Sequence, residues 1–275
     1  MSENRLEQLK QDWNDLAHID PMWAICSRPD KQFGKWSHEE FFASGKQHIS
    51  QMLELAHSSG VEIEWGRALD FGCGIGRVTQ ALAEKFASCV GVDISAQMIQ
   101  LANSYNRFSD SCRYVLNTRD DLRIFADGTF DFVYTTEVLQ HMPPEYMRKY
   151  LSEFVRILRP GGVLMFQVPV QFSIRDVRAA YLKSLPRYHY ARIRNKVRGL
   201  LLGHDDTDRY YRFRSLGVSR QWLYDTFGFR PKIEMYCVAE SEIHRLMTAL
   251  KAEMVYVVTH KTDRGDLGTF IVKKV

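Results

Sequence analysis

Between residues 66 and 170, short apolar runs alternate with amphipathic helical stretches, and this alternation leaves few folds open. RALDF reads as a strand. VTQALAEKF follows as a helix with Val78, Leu82 and Phe86 on one face, and CVGVDIS is a strand ending at Asp93. SAQMIQLANSY is a helix with Ser95 as its N-cap. CRYVLN and FDFVYTT are the third and fourth strands, the fourth entered through a DG turn at Asp127–Gly128. EYMRKYLSEFVRIL is a helix whose buried stripe is Met147, Tyr150, Leu151, Phe154 and Leu158. RPGG then stops the helix and turns the chain into a fully apolar fifth strand, GVLMFQVPV. Repeated β-α units of this kind imply an α/β fold with a parallel sheet, right-handed crossovers and helices on both faces.

The flanks differ from this core. Residues 1–65 read as a helical N-terminal cap: Leu6, Leu9, Trp13 and Leu16 share one helical face, and Phe42, Gly45, Ile49, Met52 or Leu53, and Ala56 another. Between them, PMWAICSRPDKQFGKW is irregular, and its Trp23 and Trp36 are expected to pack the cap onto the sheet rather than close over a ligand. Residues 171–215 break the pattern as an insertion. Residues 216–275 resume it with SRQWLYDTFGF, PKIEMYCV, SEIHRLMTALKA, EMVYVVTHK and TFIVKKV, whose last strands should close one sheet edge in antiparallel fashion. A chain of 275 residues accommodates all of this as a single domain.

Composition narrows the function classes. The formal charge of +4 is too mild to imply DNA. Five scattered cysteines with no CxxC pair argue against a disulfide framework or a zinc site, and no metal-ligand spacing stands out. No run approaches the roughly 20 apolar residues of a membrane span, and the charged N-terminus lacks a signal core, so a cytoplasmic location is expected.

The segment ALDFGCGIGRVTQAL carries the chemistry. Gly72, Gly74 and Gly76 lie between the first strand and its helix, where open α/β sheets bind ligands. A dinucleotide fingerprint would need its third glycine at position 77, which is Arg77, and there is no GK[ST] of a P-loop. Asp70, two residues before the first glycine, disfavours a pyrophosphate and suits a cationic ammonium group. Asp93 follows Asp70 by 23 residues, a spacing at which a carboxylate accepts hydrogen bonds from ribose hydroxyls. S-adenosylmethionine fits a site for a ligand with a ribose, a positive charge and no diphosphate.

The segments LDFGCGIG, VGVDIS, DGTFDFVYTTEVLQHMP and LRPGGVLMFQVP, in that order, resemble the successive motifs of class I S-adenosylmethionine-dependent methyltransferases. The resemblance covers residues 66–170 well and 216–275 loosely. It implies a Rossmann-like seven-stranded, mostly parallel sheet with the last strand antiparallel. It also implies that Asp70 and the backbone of Gly72, Cys73, Gly74 and Gly76 hold the amino-acid end of the cofactor, with Arg77 on its carboxylate. Asp93 would bind the ribose, Ile94 and Met98 would flank the adenine, and Asn117 would read the adenine edge, where most relatives have an aspartate. Thr135 would lie near the sulfonium. Cys73 itself reads as a small filler in a tight loop, not a nucleophile.

Methyl transfer needs a base only where the acceptor must lose a proton. His141, after EVLQ and before MPP, is the visible candidate, with Glu137 second; His189 and His204 are more distant ones. In residues 171–204, eight Arg and Lys stand against Asp176 alone, with Tyr181, Tyr188 and Tyr190 interleaved. Three readings compete for this stretch: a solvated helix, a lid for an anionic small substrate, or a surface for RNA or an anionic membrane. HDDTD at 204–208 reads as a solvated turn. The expected function is S-adenosylmethionine-dependent methylation of a small molecule at oxygen or nitrogen, a sugar, an anionic metabolite or a secondary metabolite. The rivals are an RNA or protein methyltransferase, a non-catalytic cofactor-binding partner subunit, and a nucleotide-dependent oxidoreductase.

Overall fold

A computed structural model describes residues 2–171, 206–227, 230, 231, 233–262 and 265–275. Its strands are β1 (Arg67–Phe71), β2 (Ser88–Asp93), β3 (Cys112–Leu116), β4 (Phe130–Thr135), β5 (Leu158–Gln171), β6 (Ala252–Thr262) and β7 (Gly265–Lys274). They form one sheet in the order β3-β2-β1-β4-β5-β7-β6. Strands β1 to β5 are mutually parallel, and β7 runs antiparallel to both of its neighbours. The strand order reverses beside β1, which is flanked by β2 and β4, so a crevice opens at their carboxyl ends.

Successive residues on each strand enter opposite cores, as the pleat requires. Leu69, Val133, Leu164 and Phe166 join one core cluster; Ala68, Phe132, Tyr134 and Met165 join the other. Both faces are covered, which is why the strands read as continuous apolar runs. RPGG does leave the regular path. Phe130 pairs with Leu158 and Phe132 with Val163, so Arg159, Pro160, Gly161 and Gly162 bulge from the ladder near the start of β5.

The described helices are α1 (Ser2–Ile19), α2 (Pro21–Ile25), α3 (His38–Ser58), α4 (Arg77–Ala83), α5 (Ala96–Tyr105), α6 (Pro144–Ile157), α7 (Asp206–Ser215), α8 (Arg220–Phe227) and α9 (Glu240–Ala249). Ser37 and Glu40 form a capping box at the start of α3. Phe42, Gly45, Ile49 and Ala56 of the predicted stripe are buried along that helix. A Cβ at Gly45 would strike the Arg77 carbonyl, so glycine sets how closely α3 approaches α4. Trp23 and Trp36 are buried in a cluster with Met22, Phe41, Phe42, Ile75 and Met98, so they pack the cap onto the glycine turn and α5 and not directly onto the sheet as expected. Ser95 caps α5 by accepting from the Met98 amide at 3.1 Å.

Helix α1 is held from two sides. The Asn14 side-chain oxygen accepts from Ser95 Oγ (2.8 Å) and the Gln97 amide (3.2 Å) at the start of α5. The Tyr211 hydroxyl donates to Asp12 (2.6 Å), the Tyr210 hydroxyl donates to Asp15, and Arg220 pairs with Asp15. The N-terminal helix is thereby tied to α7 and α8.

Two expectations are corrected. PKIEMYCV forms no strand among its described residues; it is an extended connection whose Tyr236 and Val238 amides donate to the carbonyls of Gln140 and Pro169. Each bond is isolated, so no ladder develops. HDDTD is not simply a turn, because α7 begins at Asp206. The basic run, with His189 and His204, lies outside the described residues apart from Gln171. Among the described residues, no helix is long and apolar enough to cross a membrane.

Candidate functional site

A cavity of about 350 Å³ lies at the carboxyl ends of β1 and β2. Asp70, Gly72, Cys73, Gly74, Arg77, Asp93, Ile94, Met98, Asn117, Glu137 and His141 all line it. Gly76 and Thr135 do not.

The turn after β1 builds the floor. The amides of Gly72 and Cys73 both donate to the Val92 carbonyl, drawing the turn against β2. The Gly74 amide donates to Asp93 Oδ2 at 2.9 Å, and the Ser95 amide to Oδ1 at 2.8 Å. The Asp93 carboxylate is therefore fixed by backbone and keeps acceptor capacity toward the cavity it lines. Gly76 plays a different part. It is the left-handed N-cap of α4, with φ of 88°, and a Cβ there would collide with the Tyr114 hydroxyl. It shapes the turn without facing the cavity.

Asp70 is buried, and the Thr79 hydroxyl donates to its Oδ2 at 2.6 Å. Burial pushes its carboxyl up to about 7, against the opposing pull of that hydrogen bond and of Arg77. Arg77 donates weakly to Ser44 Oγ at 3.4 Å, and its buried Nε has no partner among the described residues. Burial also raises the Cys73 thiol well above its ordinary value, which fits a filler and not a nucleophile. Met98 both lines the cavity and packs in the tryptophan cluster.

Asn117 carries a loop-bracing role beside its expected one, and Thr135 is placed differently from the sequence reading. Asn117 reaches the cavity, but its amide donates to the carbonyls of Asp121 (2.7 Å) and Arg119 (3.5 Å), bracing its own loop. Thr135 is the last residue of β4 and wholly buried; the cavity lies past the strand end, where Thr136 lines it and donates to Gln167 at 2.7 Å. Glu137 follows with φ of 57°, a left-handed conformation that is costly for a residue with a Cβ.

His141 ends a short 3-10 turn, Leu139–His141. Its Nδ1 is 3.1 Å from the Glu234 carbonyl, its Nε2 is 3.3 Å from the Gln140 amide nitrogen, and Trp13 meets its ring edge-on. A carbonyl only accepts, so Nδ1 carries the proton and Nε2 the lone pair. Leu6, Leu9 and Trp13 of α1, then Ile25, Cys26 and Arg28, complete the wall on the N-terminal side. The helical spacing of Leu6, Leu9 and Trp13 was legible; their facing a ligand cavity was not. His48, outside the cavity lining, is a partly buried neighbour of β4. Its Nε2 lies 2.6 Å from the Tyr134 hydroxyl, and burial, then Arg77, lowers its imidazole to about 4.

Residues 69–166 match the family model described as a methyltransferase domain. Over these residues the chain carries a methyltransferase domain. A ubiquinone biosynthesis O-methyltransferase from Xanthomonas oryzae pv. oryzae is 28% identical over 141 residues, covering 48% of this chain and 58% of the relative. A 2-methyl-6-phytyl-1,4-hydroquinone methyltransferase from Synechocystis is 27% identical over 151 residues, covering 48% and 46%. The chain thus spans about half the length of these relatives. The solved magnesium protoporphyrin IX methyltransferase from Synechocystis shares the fold, with a TM-score of 0.56, 14% identity, and coverage of 98% and 99%. The methyltransferase match begins at Leu69 and ends at Phe166, so it contains the glycine turn, Asp93, Glu137 and His141 and leaves α1 and α2 outside. Among the described residues, no group of three or more His, Cys, Asp or Glu is placed to hold a metal ion.

Proposed function

We propose that this chain transfers a methyl group from S-adenosylmethionine to a small molecule, at oxygen or nitrogen, by direct displacement without a covalent enzyme intermediate. One observation carries the reading: a single cavity joins Asp70, the Gly72–Gly74 turn, Arg77 and Asp93 to Glu137 and His141. Its volume of about 350 Å³ falls within the range for small-ligand sites.

The donor set suits this cofactor. Unpartnered Arg77 Nε calls for an anion, which the carboxylate of the amino-acid end would supply. Asp70 offers a carboxylate to the ammonium group, and the acceptor capacity that Asp93 keeps suits ribose hydroxyls. Ile94 and Met98 are apolar walls for a base. When bound, S-adenosylmethionine supplies an electrophilic methyl group on a cationic sulfur, so the protein's main task is alignment. For a hydroxyl acceptor, His141 Nε2 is the group that takes the O–H proton once the acceptor hydroxyl displaces the Gln140 amide from it, with Nδ1 anchored on Glu234. The O-methyltransferase name of one relative favours oxygen. The same reading treats residues 1–275 as one domain, because α1 supplies a wall of the cavity that the core leaves open.

The test incubates the full chain and methyl-labelled cofactor with metabolite extract, then fractionates the product by size. Label in a low-mass compound is expected. Label confined to RNA or protein would overturn the reading, as would binding of S-adenosylhomocysteine with no turnover in any extract.

A further inference from the structure

A second cavity, of about 320 Å³, adjoins the first, and Leu9 and His141 line both. It lies between α1 and the extended connection 233–236, with Arg5, Gln8, Tyr211, Ile233, Glu234 and Tyr236 on its walls. Neither the family match, which ends at Phe166, nor the glycine-turn motif reaches these residues.

The hydrogen-bond donors of this chamber are largely engaged within the protein. The Tyr211 hydroxyl donates to Asp12 Oδ1 at 2.6 Å, and Gln8 Nε2 donates to the same oxygen at 2.9 Å. The Tyr236 hydroxyl donates to one oxygen of the Glu234 carboxylate, which remains the anion of this wall, while the Glu234 carbonyl faces His141. What the two tyrosines offer an occupant is ring surface, next to Leu9, Pro143 and Ile233. Arg5 is the exception. It is the one cation on the wall, and among the described residues it makes no salt bridge. A guanidinium is always charged and matches a carboxylate with two parallel hydrogen bonds.

We propose that this second chamber is the acceptor site, and that it takes a flat aromatic acceptor bearing a carboxylate, with the ring between Tyr211 and Tyr236 and the carboxylate on Arg5. His141 is the shared wall, so an acceptor seated here has its reactive group beside the cofactor cavity. The inference rests on the methyl-transfer reading and deepens it. It also separates two roles: β1 and β2 hold the donor, while α1 and the 233–236 connection choose the acceptor.

The test is calorimetry on the full chain in two stages. First, S-adenosylhomocysteine is titrated alone. The saturated protein is then titrated with hydroxybenzoates and hydroxycinnamates, and with their uncharged methyl esters. A free acid should bind about ten-fold more tightly than its ester, the scale of one charge-assisted pair. Arg5→Gln should erase that preference and leave S-adenosylhomocysteine affinity within about two-fold. Ile233→Trp, which fills the chamber, should abolish acid binding while the cofactor product still binds. Saturated protein that binds none of the acids would overturn this proposal alone. So would an ester bound as tightly as its acid, or a preference that survives Arg5→Gln. Failure of S-adenosylhomocysteine to bind in the first stage would overturn the methyl-transfer reading, and this proposal with it.

Discussion

Along one wall of the cavity, backbone amides of the turn after β1 meet a carboxylate held at the end of β2. Along another, helix α1 presents Leu6, Leu9 and Trp13 and is itself held by side chains. The first wall is local: Gly74 and Asp93 are 19 residues apart, on adjoining β-α units. The second depends on partners far along the chain, since Asp15 and Tyr210 are 195 residues apart. Local backbone bonds and distant buried polar contacts should therefore fail in different ways when broken.

The largest effect is expected at Asp15. Its carboxylate accepts from the fully buried Tyr210 hydroxyl and pairs with Arg220. Asp15→Ala leaves both without their partner, so unfolding free energy should drop by about 3 kcal/mol, as for other broken buried pairs. Chemical denaturation measures this. A loss below about 1 kcal/mol would show that α1 is held by apolar packing instead.

Asp93→Ala should act the other way round, on binding more than on stability. Removing the acceptor of the ribose hydroxyls should weaken S-adenosylhomocysteine by about 2 kcal/mol, roughly 30-fold, by calorimetry. The stability change should be smaller, because deleting a desolvated carboxylate offsets the backbone donors it leaves. Unchanged affinity would mean that Asp93 serves the turn and not a ligand.

The same contrast explains what the sequence could show. The alternation of strand and helix, the glycine turn, Asp70 and Asp93 were legible because each depends on neighbours within one β-α unit. The cavity places Asp70, Asp93, Glu137 and His141 together as that local order implies. Thr135 against Thr136 turned on where β4 ends, a one-residue matter that apolar patterning does not resolve. Asn117 was chosen for its place after β3, but its amide bonds back to its own loop, as Asn side chains readily do. The chamber at Arg5 and Tyr236 left no trace in local pattern. It exists because α1 and an irregular connection meet, and PKIEMYCV looked like a strand while only isolated amides of it are bonded.

Asp70 gives a smaller, pH-dependent effect. Its ordinary value is 3.8, and burial raises it to about 7 in the fold. Between these values the unfolded chain ionises and the folded chain does not. The group's contribution to stability is therefore present below 3.8 and lost as pH rises to about 7. A ligand ammonium favours the ionised form, so ligand affinity moves oppositely. It should fall about ten-fold from about pH 8 to about pH 6, with proton release on binding. Calorimetry in buffers of different ionisation enthalpy reads both. Asp70→Asn should flatten the profile, and a profile that keeps its slope in that variant would assign the titration elsewhere.

The smallest expected effect tests whether the local wall carries strain. Glu137 lies just past β4 in a left-handed conformation, with φ of 57°, where a Cβ is unfavourable. Glu137→Ala and Glu137→Gly both remove the carboxylate, so the difference between them isolates the backbone. At an ordinary helical or extended position alanine is the more stable of the two, because glycine loses more conformational freedom on folding. Here the order should invert, with the glycine variant more stable by about 1 kcal/mol in parallel denaturation curves. The usual order would mean that the turn relaxes once the glutamate is gone, and that the left-handed geometry belongs to the side chain's own contacts. An inverted order would place the strain in the backbone at the one turn that carries the chain from β4 to His141. The wall built from local contacts would then hold a cost that the distant clamp on α1 does not share.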